Sequence, residues 1–543
     1  YKTIKRGTDD NDDEFVEYIS GDGKTPRNVK VSSKNDDFGR LNNVSTQFNG
    51  EELFATEYAY ETTSHKITNN VSSILYDYDN KTKGLMYQYT YDANGNIATS
   101  VERSYDKGTG GVPINSSYSK SSYTYDNLNQ LTQITDDSQK EKTKISYDNA
   151  GNIKKVQVYN SSTNALKKTN TYGYDTTWKD KLTSYNGETI TYDGIGNPLK
   201  YRNGMTMQWK NGRQLSQVKT SKDTITYKYN IKGLRTRKDN SDYTYYYYYD
   251  DNNNLIAMMQ GGVVAYFYYD SNNSVTAMSI NDSMYYYIKN LQGDITKIVN
   301  HQGKVMVEYT YDAWGNILKE KSNVTPSYAT VKAFNPFRYR GYVYDTDTGL
   351  YYLQSRYYDP KTGRFINADD TAYVDTNSGT PLSTNMFAYC ENNYINDVDP
   401  SGFWSFSSNW VSYSIDLIIC VFGTAASVCF SVIKMVVKNN LKRIGIKRTA
   451  KFIIKYIIPK CVRFMKKFMN NLSYIISKVT WFTFDFWKTS KISSIVHKVL
   501  RLLKGRRIDI IYNVVSMFLS PGSYIAGILD LVSDGKLDGR ITV

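Results

Sequence analysis

Side chains able to do chemistry are sparse in this 543-residue chain, and their spacing excludes more than it offers. The three histidines stand far apart, at His65, His301 and His497. That is too few for a His-based metal centre or a Ser-His-Asp triad, each of which needs well-partnered imidazoles. Four Cys in this length cannot build a dense disulfide framework. Cys390, with no His near it in sequence, reads as a small buried residue rather than a nucleophile. Carboxylates are plentiful and recur in one setting: Asp92, Asp148, Asp193 and Asp312 each follow a Tyr and stand two residues before Gly-Asn. An Asp there accepts a hydrogen bond from the backbone two residues on and opens a turn, a role that outweighs calcium binding or catalysis. Asp530, Asp534 and Asp538 form at most a faint calcium loop and read as a turn near the C-terminus. Neither a metal nor a cofactor is expected.

The elements around those turns repeat. The unit is aromatic, any residue, Tyr, Asp, two residues, Gly-Asn, then Ile or Leu. Its clearest copies are Tyr89–Ile97, Tyr147–Ile153, Tyr192–Asn197 and Tyr309–Ile317, and degenerate copies lie between them. Marker residues Tyr229, Tyr249, Tyr269 and Tyr287 are 20, 20 and 18 apart. Alternating aromatics such as Tyr89 and Tyr91 put rings on one face of a strand. Gly-Asn supplies positive-φ positions for a tight hairpin, and the Ile or Leu begins the return strand. One such hairpin is too small to bury its own face, so stacked neighbours must supply the core. With 52 Tyr against 10 Pro, the chain is neither disordered nor collagen-like.

A second kind of polymer begins near residue 403. From Trp404 onward there are 22 Lys and Arg, six Asp and no Glu, a net of +16. That leaves 45 bases and 47 acids upstream, a net of −2. Leu417–Ile433 is an uncharged run of 17 residues, which borders on a bilayer span and equally suits a buried core helix. In Leu441–Met469, Lys447, Lys451 and Lys455 recur every four residues beside Ile453, Ile454, Ile457 and Ile458, the pattern of a helix drawn to anionic lipid. Trp481, Phe482, Phe484, Phe486 and Trp487 suit a headgroup boundary. A compact basic helical domain fits the same residues. The positive charge would also suit nucleic acid. Metal-dependent phosphodiester cleavage, however, needs clustered carboxylates or a His base, and the tail has only His497 and scattered Asp.

The repeat resembles the YD repeat of Rhs proteins, of the C subunits of insecticidal Tc complexes and of teneurins. Asn335–Asp370 is similar to the Rhs-repeat-associated core through Tyr339, Arg340, Gly341, Tyr342, Asp345, Thr348, Gly349 and Leu350–Leu353, and then Arg356–Pro360 and Gly363–Phe365. The resemblance implies a mostly β fold, a spiral shell of YD-repeat hairpins, closed by a plug in which Asp345–Gly349 and Asp359–Gly363 are turns. It also implies that the chain beyond Asp-Pro-x-Gly is a variable payload. In several members the chain cuts itself there by aspartyl autoproteolysis. Carried over by motif position, the pair would be Asp369 and Asp399 and the cleaved bond Phe403–Trp404. Asp370 and Asp397 are alternative partners. The family's Pro is Tyr394 here, and its Leu is Phe403.

The sequence therefore predicts a degenerate edge over 1–75, YD repeats over 76–330, a repeat-associated core over 331–403 and a mainly α-helical payload over 404–543. The opening YKTIKR has neither an initiator Met nor an export-signal pattern and reads as the interior of a longer chain. The expected function is that of a secreted or cell-surface bacterial toxin used in competition between bacteria, with the payload delivered to a target cell. Its expected partners are membrane lipid and a cognate immunity protein. A nuclease payload and an adhesion module that binds surface glycans are the alternatives, and nucleic acid is the less favoured partner.

Overall fold

The computed structural model describes residues 3–407, except 9–13, 20–27, 39, 64–65, 79–81, 108–112, 271–273, 282, 323–330, 370–381 and 403–405. The helices expected beyond Trp404 lie outside the described residues. Among those described, no helix is long and apolar enough to cross a membrane.

The repeats form two antiparallel meanders in which every strand pairs with the next in sequence. Fifteen strands run from Thr3 to Thr189 and fourteen from Thr191 to Ser322. Residues 3–78 contribute the first six of these strands. The unit around Asp92 shows why each turn forms. The strand Lys83–Tyr91 ends at Asp92, whose Oδ1 accepts the amides of Asn94 and Asn96, each at 2.9 Å. Its Oδ2 accepts the Asn96 side chain at 3.1 Å. The same double grip recurs at Asp126–Gln130, Asp148–Asn152, Asp193–Asn197 and Asp312–Asn316. One expectation changes here. Of the Gly-Asn pair only the glycine is left-handed, as at Gly95 with φ +85°, because the Asn has to turn its amide back onto the Asp.

Each turn closes with a register slip. Tyr91 faces Ile97 but Thr90 faces Thr99, so one residue of the return strand is bulged. The bulge takes the carbonyl beside it out of the ladder, and the next unit supplies its partner. Tyr125 donates its hydroxyl to the Ile97 carbonyl at 2.8 Å, and Tyr147 does the same to Leu131 at 2.6 Å. Tyr174 to Ile153, Tyr229 to Leu215, Tyr249 to Arg235, Tyr269 to Leu255 and Tyr311 to Ile295 continue the series at 2.8–2.9 Å. Burial pushes the phenols of Tyr147, Tyr229 and Tyr249 well above their ordinary range, so they stay neutral donors.

Strands Val275–Ile280 and Ser283–Lys289, and the end of Val263–Tyr269 from Phe267 on, are covered on both faces. Phe267, Met278, Tyr285 and Tyr287 enter one core cluster with Phe334 and Phe337. Tyr268, Ala277, Tyr286 and Ile288 enter another with Tyr76, Tyr87 and Tyr89 of the first meander. Two-sided burial explains their nearly continuous apolar sequence, where a half-exposed strand would alternate. The meanders touch directly: Tyr87 and Thr296 share a hydroxyl hydrogen bond of 2.8 Å, and the Leu291 amide donates to the Tyr89 hydroxyl at 3.0 Å.

Inside sits the plug, a four-stranded sheet of Val343–Asp345, Leu350–Leu353, Arg356–Asp359 and Arg364–Phe365. Its turns fall at Asp345–Gly349 and Asp359–Gly363, and their aspartates do more than turn the chain. Asp359 receives a bidentate pair from Arg202, at 2.6 and 2.7 Å. Asp345 receives Lys238 at 2.9 Å, Arg235 at 3.2 Å and the Tyr227 hydroxyl at 2.8 Å. Burial works to raise the Asp345 carboxyl, but Lys238 and Arg235 outweigh it and hold it below the ordinary carboxylate range. Removing one phenol from the repeat ladder tests the framework. Tyr249→Phe leaves the Arg235 carbonyl unpaired and should cost about 1–3 kcal/mol. The measurement is the urea midpoint of the strand signal in circular dichroism, which should fall, and an unchanged midpoint would dismiss the ladder as incidental.

Candidate functional site

The plug hairpin between Leu350–Leu353 and Arg356–Asp359 carries a buried arginine at its tip. Arg356 Nη2 lies 3.0 Å from Asp369 Oδ2 and 3.4 Å from Asp399 Oδ2. Its Nη1 donates to the Met386 carbonyl at 3.2 Å, its Nε donates to the Gly402 carbonyl, and its guanidinium lies 3.6 Å over the Phe365 ring. Burial pulls this guanidinium down, and the charges of Asp369 and Asp399 work against that pull. An arginine nevertheless stays protonated in any protein.

Thirty positions of sequence separate the two aspartates, and the plug brings both onto one nitrogen. Asp369 is set by its amide, which donates to the Met386 carbonyl at 2.9 Å. Asp399 is buried; its amide donates to the Tyr342 hydroxyl at 2.8 Å, and its Oδ1 accepts the Gly402 amide at 2.8 Å. Tyr342 in turn shares a 2.9 Å hydroxyl bond with Tyr389. Phe403, Trp404 and Asp370 lie outside the described residues. The flanking backbone is described, with Asp397 and Val398 pairing antiparallel to Ser407 and Phe406.

The approach to this site is anchored on the repeat turns. Asn392 donates to the Gln130 side chain at 2.9 Å and to the Gly151 carbonyl at 2.7 Å, while Asn393 and Asn396 donate to Asn96 at 3.2 and 3.4 Å. This grip holds three consecutive non-glycine residues, Cys390, Glu391 and Asn392, at φ values of 50°, 47° and 66°. Left-handed backbone costs such residues roughly 1–2 kcal/mol each and persists only when surroundings over-determine it. Cys390 is buried, and burial first, then the charges of Asp397 and Asp399, pushes its thiol well up, away from nucleophilic character. Tyr394, where the resembled pattern has Pro, is buried against Trp314 with ring centres 5.7 Å apart, and shares a hydroxyl bond of 3.0 Å with Tyr147.

Sequence reasoning named both aspartates as the pair, quoted Arg356 and Tyr342 only as motif matches without a role, and missed the clamp on Gly402. An arginine one strand away carries no local signal of what it will touch. Among the described residues no group of three or more His, Cys, Asp or Glu could hold a metal ion. Asp397 is not on Arg356. Burial pushes its carboxyl up to about 7, the Glu391 charge adds to this, and Arg340 opposes it. An acid raised in the folded state binds more protons there than when unfolded. Its stabilising contribution is therefore complete below about pH 4 and is lost as pH rises towards 7. Asp397→Asn should flatten this part of the melting-temperature profile between about pH 4 and 7, measured with both proteins in matched buffers. Parallel profiles would refute the assignment.

Comparison with known proteins agrees with this architecture. The Teneurin YD-shell family matches residues 107–395, more than half of the chain. The tRNA3(Ser)-specific nuclease WapA of Bacillus spizizenii is 34% identical over 288 residues, covering 52% of this chain and 12% of that protein. The double-stranded DNA deaminase toxin A of Burkholderia cenocepacia is 30% identical over 119 residues, 22% of this chain and 8% of that one. The toxin subunit YenC2 of Yersinia entomophaga is 31% identical over 125 residues, 23% and 11% respectively. The chain thus spans about an eighth of the length of the WapA relative. The crystal structure of TcdB2-TccC3 without its hypervariable C-terminal region aligns over 72% of this chain and 22% of that one, with a TM-score of 0.51 at 19% identity, a likeness of fold. The hairpin repeats, the buried plug and the matched family together make this chain a member of the Rhs/YD-repeat family, built on the YD shell.

Proposed function

We propose that residues up to Phe403 form a shell that carries the cationic chain from Trp404 onward as a toxic payload, and that the shell cuts the Phe403–Trp404 bond itself. The observation that carries this reading is the meeting of Asp369 and Asp399 on Arg356, beside the Gly402 carbonyl one residue before that bond. In the proposed reaction one aspartate is ionised and takes a proton from water as the water oxygen attacks the Phe403 carbonyl carbon. The other, protonated, donates to the carbonyl oxygen. The tetrahedral intermediate then collapses: the C–N bond breaks, the Trp404 nitrogen leaves with the proton held by the first aspartate, and as the C=O bond re-forms one hydroxyl proton returns to the second aspartate, leaving a carboxyl group on Phe403. Arg356, 3.0 and 3.4 Å from the two carboxylates, stabilises the ionised member. The purified full chain should run as two pieces divided after residue 403. Asp369→Asn and Asp399→Asn should each leave it whole, and a parent chain that stays intact would overturn the reading.

For the payload we favour a membrane target. A net charge of +16, lysines at helical spacing and the aromatic cluster at 481–487 support it. Delivery to another cell and neutralisation by an immunity protein belong to the same proposal. The names of the WapA and deaminase relatives favour a second reading, a payload acting on nucleic acid. The tail's lack of Glu and its single His weigh against metal-dependent cleavage. The 404–543 piece, separated from the cleaved chain in denaturant and diluted onto anionic vesicles, should release trapped dye. Intact vesicles together with degraded tRNA or DNA would replace the membrane reading by the nuclease one.

A further inference from the structure

Two successive carbonyls on the approach to the proposed cleavage bond are gripped by one hairpin tip. Gln354 and Ser355 join the central plug strands, with Gln354 at φ +62°. Ser355 aims two donors at one acceptor: its hydroxyl reaches the Ser401 carbonyl at 2.6 Å and its amide reaches the same oxygen at 3.1 Å. The next residue of the tip, Arg356, takes the next carbonyl, that of Gly402. Between these grips there is room only for glycine. A Cβ on Gly402 would lie 2.5 Å from Ser355 Oγ, 2.8 Å from the Leu353 carbonyl oxygen and 3.0 Å from the Arg356 nitrogen, and its φ is +76°.

Peptide units are rigid planes, so fixing the carbonyls of residues 401 and 402 fixes the planes that follow them. Only the two backbone torsions of residue 403 then remain soft between the grip and the bond to be cut. We infer that the tip Leu353–Arg356 is a substrate clamp and that Ser355 is its positioning residue, setting where the following peptide lies relative to Asp369 and Asp399. This rests on the self-cleavage reading. Ser355 takes no proton and touches no reacting atom; it acts by removing torsional freedom that a loose segment would have to lose on the way to the transition state.

The test is the cleavage rate of the full 543-residue chain, pulse-labelled during cell-free translation and followed by gel and mass spectrometry. Ser355→Ala should cleave about tenfold more slowly, the scale of one lost hydrogen bond felt in the transition state. Ser355→Thr, which keeps the hydroxyl, should cleave within about threefold of the parent by the same arithmetic. The pH midpoint of the rate should be the same for Ala variant and parent, because the carboxylates are untouched. Melting of the two chains in an Asp399→Asn background should coincide, which separates positioning from loss of fold. An Ala variant as fast as the parent, or a Thr variant as slow as the Ala one, would overturn the clamp and leave self-cleavage standing. A parent that never cleaves would overturn both.

Discussion

The structure depends on a phenol meeting a carbonyl that the sheet itself cannot satisfy. Every repeat turn ends in a bulge, and the bulge strands the first carbonyl of the return strand outside the ladder. A buried carbonyl without a donor is costly. The Tyr immediately before the next Asp removes that cost from one unit away, as Tyr125 does for Ile97 and Tyr249 for Arg235. Ring packing alone would be served equally well by Phe. At Tyr125, Tyr147, Tyr174, Tyr229, Tyr249, Tyr269 and Tyr311 the hydroxyl is what Phe could not replace, and its reach from one unit to the next ties it to the spacing between units.

The same turns serve a second master. Asn96, Gln130 and Asn152 complete the grip on their own aspartates, and their remaining polar atoms receive Asn393, Asn392 and Asn385 from the chain that approaches the candidate site. The plug is thereby registered against the wall by amides, and against the second meander by buried charge. Asp345 and Asp359 are each surrounded by cations and phenols, so either would be left as an uncompensated charge if the plug shifted. Such pairs add little net stability compared with apolar packing, but they penalise every alternative seating strongly. A site whose members come from residues 356, 369, 399 and 402 needs that kind of exactness in its frame.

Much of this was open to reading in one dimension. The β class, the hairpin unit, the turn role of Asp92 and its equivalents, and the aromatic plug strands all rest on local patterns, where neighbours in sequence are neighbours in space. Two details of the unit escaped. The Asn after the Gly was expected to be left-handed, but its amide is spent on the Asp. The tyrosines were read as rings, and their hydroxyls, which reach across a whole unit, were not weighed. Asp369 and Asp399 were given their role by motif position; Arg356 stands in the same motif, but nothing local told of its contacts, which lie 13 and 43 residues away.

By itself the sequence determined the repeating hairpin, the seam near residue 403 and the change there from a neutral tyrosine polymer to a cationic apolar one. These are properties of composition and short-range periodicity, which a linear chain carries in full. Only the tertiary structure decided that two aspartates would share one guanidinium, that Gly402 would be held where no side chain fits, and that strands such as Ser283–Lys289 would be covered on both faces. The reason is physical: each of those facts is a contact between segments far apart along the chain, and no local propensity encodes which distant segments will meet.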